Sequence, residues 1–179
     1  ISKLNNAITS AVAIPKAASM VSNINVVISS RNTTGRSNLV KPLVVVLYDS
    51  KVNKIAHIRK YFPCLRSAGL TPEGLCFEAL KKVIADNNTE DNYFVNYSDG
   101  APYCNGYSGD TAVKHTRRSV DNIRHSGTKV LSYFITDEYI YDRAKNDFKT
   151  MYGKDAEFVD VTSVMSISKT MNKKFLEKN

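Results

Sequence analysis

A carboxylate that ends an apolar strand and is followed at once by glycine and proline is placed to meet a ligand. Tyr93 to Tyr97 (YFVNY) reads as such a strand, and the string Ser98-Asp99-Gly100-Ala101-Pro102 follows it. In an open α/β sheet, ligands bind beyond the carboxyl ends of the strands, so Asp99 is a candidate oxygen ligand. The plainer account is an Asx-type turn. Thr71 supplies a second oxygen. Thr71-Pro72-Glu73 opens a helix by the usual rules: threonine can cap, proline fits the first helical position, and an acid complements the positive helix end. The Thr71 hydroxyl would then lie on the same sheet edge as Asp99. A hydroxyl and a carboxylate are hard oxygen donors of the type Mg²⁺ takes, with the ion keeping several waters.

Other reactive side chains carry weaker signals. His57, His115 and His125 lack ligand spacing, and surface or packing roles account for them. Cys76 and Cys104 flank the Asp99 region without metal-ligand spacing, which reads as one small buried residue and one loop thiol. Asp137-Glu138 follows the strand KVLSYFI and reads as the acid pair of a helix N-terminus; a place near a metal is the lesser account. The many tyrosines, among them Tyr93, Tyr97, Tyr103, Tyr107 and Tyr133, suit strands. Interleaved with Lys and Arg they could stack nucleobases, but no RNP-like motif accompanies them. Lys114, Arg117, Arg118 and Arg124 share one helix, and Lys169, Lys173, Lys174 and Lys178 share the last one. A solvated face is the default account of such charges; docking of an acidic partner or a nucleic acid is the alternative.

Composition narrows the function classes. The chain has 179 residues, 42% hydrophobic and 23% charged, with a net charge of +8. That length suits one domain with a buried core. Three cysteines with no CxxC pair exclude a disulfide framework and a zinc ribbon, and they fit reduced thiols and a cytoplasmic setting. The longest apolar run, Leu43 to Leu47, is too short to span a bilayer, and ISKLNN does not begin like a signal peptide. No nucleophile elbow, paired catalytic acids or P-loop occurs, which weighs against a hydrolase built on Asp99 and His115.

The elements that must hold these residues alternate in type. Lys3 to Ser22 has helical spacing, with Pro15 as an internal defect that predicts a kink or break. Ile24 to Ser30 and Leu39 to Tyr48 read as an antiparallel hairpin around Gly35. A short helix over Lys51 to Tyr61 is capped by Asp49 or Ser50. A helix from Thr71 to about Asp86 precedes the Tyr93 strand. A helix over Asp110 to His125 ends at Gly127. The strand Lys129 to Ile135 comes next, then a helix over Glu138 to Tyr152 stopped by Gly153. A strand over Glu157 to Val161 and a basic C-terminal helix close the chain. This order predicts one α/β domain over 1–179: doubly wound, with a mainly parallel sheet and an antiparallel hairpin at one edge.

TPEGLCFEAL followed by YFVNYSDGAP resembles the von Willebrand factor A domain, most closely that of the T-type subunit of aerobic cobalt chelatase and its phage-encoded relatives. The likeness extends to Lys114-His115-Thr116-Arg117-Arg118-Ser119-Val120 and to LSYFITDEY. In that family a Thr-bearing loop and an Asp after the next strand help form a metal-ion-dependent adhesion site. The resemblance therefore implies an Mg²⁺ site at Thr71 and Asp99 that grips a protein carboxylate. It also implies a partner that is an AAA+ ATPase of the chelatase S-subunit or MoxR type. The module would bind and would not catalyse by itself. A nucleic-acid-binding or virion-assembly protein acting through its basic helices is the alternative.

One departure from the family carries weight. Its first central strand ends in Asp-x-Ser-x-Ser, and no such string occurs here; Asp49-Ser50-Lys51-Val52-Asn53 follows the wrong strand. Ile1 stands where the family's first helix would follow that motif. The expectation is a sheet lacking its first central strand, which would lie between the Ile24 and Tyr93 strands. Each backbone group buried unpaired along such a gap costs roughly 1–3 kcal/mol, so those two strands are expected not to pair directly.

Overall fold

The computed structural model describes residues 3–20, 23–35, 41–66, 69–86, 91–100, 102–135, 142–158 and 173. Contacts group the chain into two compact units. One comprises residues 1–30, 45–67 and 159–179, and the other comprises 31–44 and 68–158.

In the first unit, helix α1 (Lys3–Ala18) carries Pro15 within its last turn. The helix continues past the proline for three residues, and Ser19 N–H closes onto the Pro15 carbonyl at 2.8 Å. The expected break is therefore only an early end, because a proline this late removes a bond from a turn that is already finishing. Strands β1 (Val27–Thr34) and β2 (Lys41–Asp49) form a two-stranded antiparallel sheet whose ends belong to different units. β1 starts later than expected and runs through Asn32–Thr34, since the β-branched Thr33 and Thr34 continue the strand. The chain turns at Gly35, where φ is +103°. The short helix is α2 (Ala56–Tyr61) and begins after Ile55, without a side-chain cap. Asp49 and Ser50 are occupied elsewhere. Asp49 Oδ1 accepts from Lys51 N–H at 2.8 Å, and Ser50 Oγ accepts from Val26 N–H at 2.9 Å. Ile58 and Phe62, one helical turn apart, are buried together with Tyr48, and Ile8 and Val12 of α1 pack against them.

In the second unit, helix α3 (Glu73–Asp86), strand β3 (Asn92–Ser98), helix α4 (Gly109–His125), strand β4 (Thr128–Phe134), helix α5 (Asp142–Tyr152) and strand β5 (Ala156–Phe158) follow in order. The three strands form a parallel sheet in the order β3-β4-β5, with Asn96 opposite Ser132 and Ser132 opposite Ala156. α4 buries Ala112, Val113, Thr116, Ser119, Val120 and Ile123, a continuous stripe at helical spacing. It ends at Gly127, φ +84°, as its sequence predicts. Phe77 and Leu80 of α3, Phe134 of β4 and Phe148, Met151 and Tyr152 of α5 join that stripe in one core. Each large side chain buried there contributes roughly 1.5–3 kcal/mol of transfer free energy.

The molecule is thus α/β, with a parallel three-stranded sheet and a separate antiparallel hairpin. Among the described residues β1 and β3 lie in different sheets. The Ser98 carbonyl accepts from Ile135 N–H on the β4 side at 2.7 Å. Since peptide groups alternate along a strand, Val95 and Tyr97 turn theirs to the opposite edge. The last strand is Ala156–Phe158. The helical start expected over 138–141, the continuation of the last strand to Val161 and the basic C-terminal helix lie outside the described residues, Lys173 excepted.

Candidate functional site

Glu73 begins α3 and is fully buried, which no surface helix-end acid would be. Its carboxylate is held from four sides. Arg31 of β1 pairs with Oε1 at 3.2 Å, Tyr152 donates its hydroxyl to Oε1 at 2.7 Å, and Asn96 Nδ2 donates to Oε1 at 3.2 Å. Ser98 donates to Oε2 at 3.1 Å. The Arg31 guanidinium also donates to Asn96 Oδ1 and, at 2.9 Å, to the Tyr97 carbonyl, and it lies over the Phe77 ring. A charge removed from water in this way is tolerable only when paired and hydrogen-bonded, and here every oxygen of the carboxylate is served.

This network fixes the loop that carries the candidate ligand. Asn96 and Ser98 share one face of β3, and the Ser98 hydroxyl that donates to Glu73 also accepts Gly100 N–H at 3.1 Å. The turn after the strand is therefore tied to the start of α3. Gly100 adopts φ +86°, and Pro102 beyond it is buried. Asp99, between the tied residues, is exposed, and its carboxylate has no hydrogen-bond partner among the described residues.

Thr71 comes to the same loop. Its backbone forms an antiparallel bridge with Tyr103, with both N–H···O bonds at 2.9 Å. The Thr71 carbonyl, not its hydroxyl, receives Glu73 N–H, so the side chain does not cap α3 as its sequence suggests. That hydroxyl has no hydrogen bond among the described residues. Thr71 and Asp99 thus stand on two bridged loops at the carboxyl end of β3. Both are hard oxygen donors, the chemistry Mg²⁺ requires, and two of them would leave the ion most of its waters. No group of three or more His, Cys, Asp or Glu side chains able to hold a metal occurs among the described residues.

The remaining candidates are placed in packing roles. His115 Nδ1 meets the Tyr107 hydroxyl at 2.9 Å and its Nε2 lies 3.3 Å from Glu78, so it joins α3 to α4. A carboxylate, an imidazole and a hydroxyl in that order could activate a nucleophile. Gly74 closes the space beside them: a Cβ there would stand 2.6 Å from the Tyr107 oxygen and 2.7 Å from His115 Nδ1. His57 meets the Tyr61 ring at a tilt of 39°, and His125 is exposed at the end of α4. Cys76 and Cys104 are both buried, Cys104 as a covered thiol within the loop between β3 and α4. Burial pushes both thiols up and keeps them protonated. Asp137-Glu138 lies outside the described residues.

Arg31, Asn96 and Tyr152 carry no sequence motif. The signal nearest to one was a charged residue within a strand otherwise made of small and β-branched side chains. Burial, and next the Glu73 carboxylate, push the Tyr152 phenol well above its ordinary value. A group whose pKa rises on folding stabilises fully below its unfolded pKa and loses that contribution as pH climbs toward the folded one. Stability is therefore expected to hold from neutrality to about pH 10, the unfolded phenol value, and to fall above it. Denaturant midpoints across alkaline pH check this. Tyr152→Phe should flatten that fall, and an unchanged slope would show that another group causes it.

Compared with family models, curated proteins and solved structures, the chain gives no match.

Proposed function

We propose that the chain is a binding module of the von Willebrand A type, close to that of the cobalt chelatase T-type subunit. In this reading it uses Mg²⁺ at Thr71 and Asp99 to grip a carboxylate on a protein partner. The observation that supports it is the Thr71–Tyr103 bridge, which ties the segment bearing Thr71 to the loop that carries the exposed Asp99 after a parallel strand. The separation of β1 from β3 supports the same reading, because the resemblance puts another strand between them. The finer fold, a doubly wound sheet missing its first central strand, belongs to this proposal, as does a cytoplasmic setting.

Bound there, the ion would supply positive charge with open coordination positions for the partner's oxygen. The chain's own part is to hold the two loops together and to present Asp99 to solvent. The partner is an AAA+ ATPase of the chelatase S-subunit or MoxR type, which supplies the energy, and the module performs no catalysis of its own.

Asp99→Ala tests this directly. Asp99 is exposed and its side chain makes no bond among the described residues, so its removal should leave the thermal midpoint unchanged. Affinity for a MoxR-type ATPase in Mg²⁺ should fall at least tenfold, to the level that chelator produces with the unaltered chain. A lowered midpoint with unchanged affinity of the folded fraction would reduce Asp99 to a turn former.

A further inference from the structure

The charge of the molecule is unevenly shared. Residues 31–44 and 68–158 hold fourteen Lys and Arg against fourteen Asp and Glu, so the whole net charge of +8 belongs to the other unit. On helix α4, Arg117 and Arg124 spend their charge internally, whereas Lys114 and Arg118 are exposed without a carboxylate partner among the described residues. Arg117 Nε donates to Asp121 at 2.9 Å, and Arg124 donates to Asp121 and Asp155, both at 2.7 Å. Burial alone would raise the Asp121 carboxyl, yet hydrogen bonds from Arg124 and Arg117 outweigh it and hold the group below its usual range.

The segment around α2 is different. Lys51, Lys54, Arg59, Lys60 and Arg66 are all exposed, and Asp49 is the one acid from residue 49 to residue 66. Lys54, Arg59, Lys60 and Arg66 have no carboxylate partner among the described residues. The geometry of α2 makes this so: Ile58 and Phe62 take the inward face, which leaves Arg59, Lys60 and Tyr61 outside. Tyr61 is 44% exposed, with His57 4.3 Å from its ring centre and the Lys60 ammonium 5.1 Å from it.

We propose that this surface binds single-stranded nucleic acid, with Lys54, Arg59, Lys60 and Arg66 on successive phosphates and a base on Tyr61. Arg66 donates to the Pro63 and Leu65 carbonyls at 2.7 and 2.8 Å, which satisfies hydrogen bonds but leaves its charge without a counterion. Cations without carboxylate partners on a segment that exposes an aromatic ring are what a flexible polyanion with π-faces requires. A base arriving at Tyr61 displaces the Lys60 ammonium from the ring to the adjoining phosphate. A six-residue helix is too short to read a duplex groove, and two exposed aliphatic side chains, Val52 and Ile55, offer little to a membrane. This inference is independent of the metal site: it uses other residues of the chain and needs no Mg²⁺.

The test is fluorescence anisotropy of a labelled oligo(dT) of about 12 nucleotides, within the span such surfaces cover, titrated with the full chain. Four phosphate contacts predict that log affinity falls with log salt at a slope of about −3. Lys54→Gln with Lys60→Gln should weaken binding at least tenfold, and Tyr61→Leu at least fivefold, with unchanged circular dichroism. Lys114→Gln with Arg118→Gln on α4 should leave it unaltered. Several results would each overturn the proposal: no binding at low salt, salt-indifferent binding, an equal loss from the α4 pair, full affinity in Tyr61→Leu, or binding confined to phosphatidylserine vesicles.

Discussion

Arg31→Met is expected to lower the unfolding free energy by about 3–5 kcal/mol, the usual result of breaking a buried ion pair from one side. Glu73 is wholly buried, and Arg31 is the one cation paired with it among the described residues. Once that cation is gone, the carboxylate keeps hydrogen bonds from Ser98, Asn96 and Tyr152 but not its countercharge. A domain of this size holds only about 5–15 kcal/mol in total, so the variant should unfold at a much lower urea concentration. Glu73→Gln leaves the opposite charge behind and should cost a similar amount. The double variant should cost clearly less than the sum of the two, because neither charge is then stranded. A loss below about 1 kcal/mol for Arg31→Met, well short of the one-sided cost, would mean that the three neutral donors alone satisfy Glu73.

Gly100→Ala should be nearly as damaging, for unrelated reasons. At φ +86° an L side chain is strained by roughly 1–2 kcal/mol. The added Cβ would also collide with the Phe134 ring and stand 3.0 Å from the Ala144 carbonyl oxygen. Overpacking of that kind costs about 1–3 kcal/mol. Gly106→Ala is the control, since φ is +74° there but nothing lies within 4 Å of a Cβ. It should pay the backbone strain alone. Equal midpoints for the two variants would show that Phe134 yields easily. Because Gly100 follows Asp99, Gly100→Ala should also weaken partner binding beyond what its stability loss explains.

The parts of the fold that could be read in the sequence are those whose signals are local. α4 and β4 begin and end within a residue of expectation, since a helical stripe and Gly127 define the first and an apolar β-branched run the second. The sequence extends the short helix before Pro63 back to Lys51, because Lys51–Lys54 has no breaker, whereas the helix begins at Ala56. Its turn comes from Asp49, whose carbonyl takes Asn53 N–H at 2.8 Å. Asp99 directly follows β3 and Thr71 stands two residues before α3, near the element ends that the sequence marks, although the Thr71 hydroxyl does not cap the helix. The ion pair beneath them was not legible. Arg31 and Glu73 are far apart in sequence, and each looks like an ordinary solvated charge until the core closes around both.

Arg31 has a further consequence, for how copies of the chain behave in company. Among the described residues β3 is paired on the β4 side alone, and the Arg31 guanidinium covers the Tyr97 carbonyl on the other edge. A strand with one bare edge is a template for the strand of another molecule, and a charge laid across it is how proteins blunt that hazard. The same side chain that neutralises Glu73 is therefore also a guard against self-association. The population that opens enough to withdraw Arg31 is the one from which aggregation would begin.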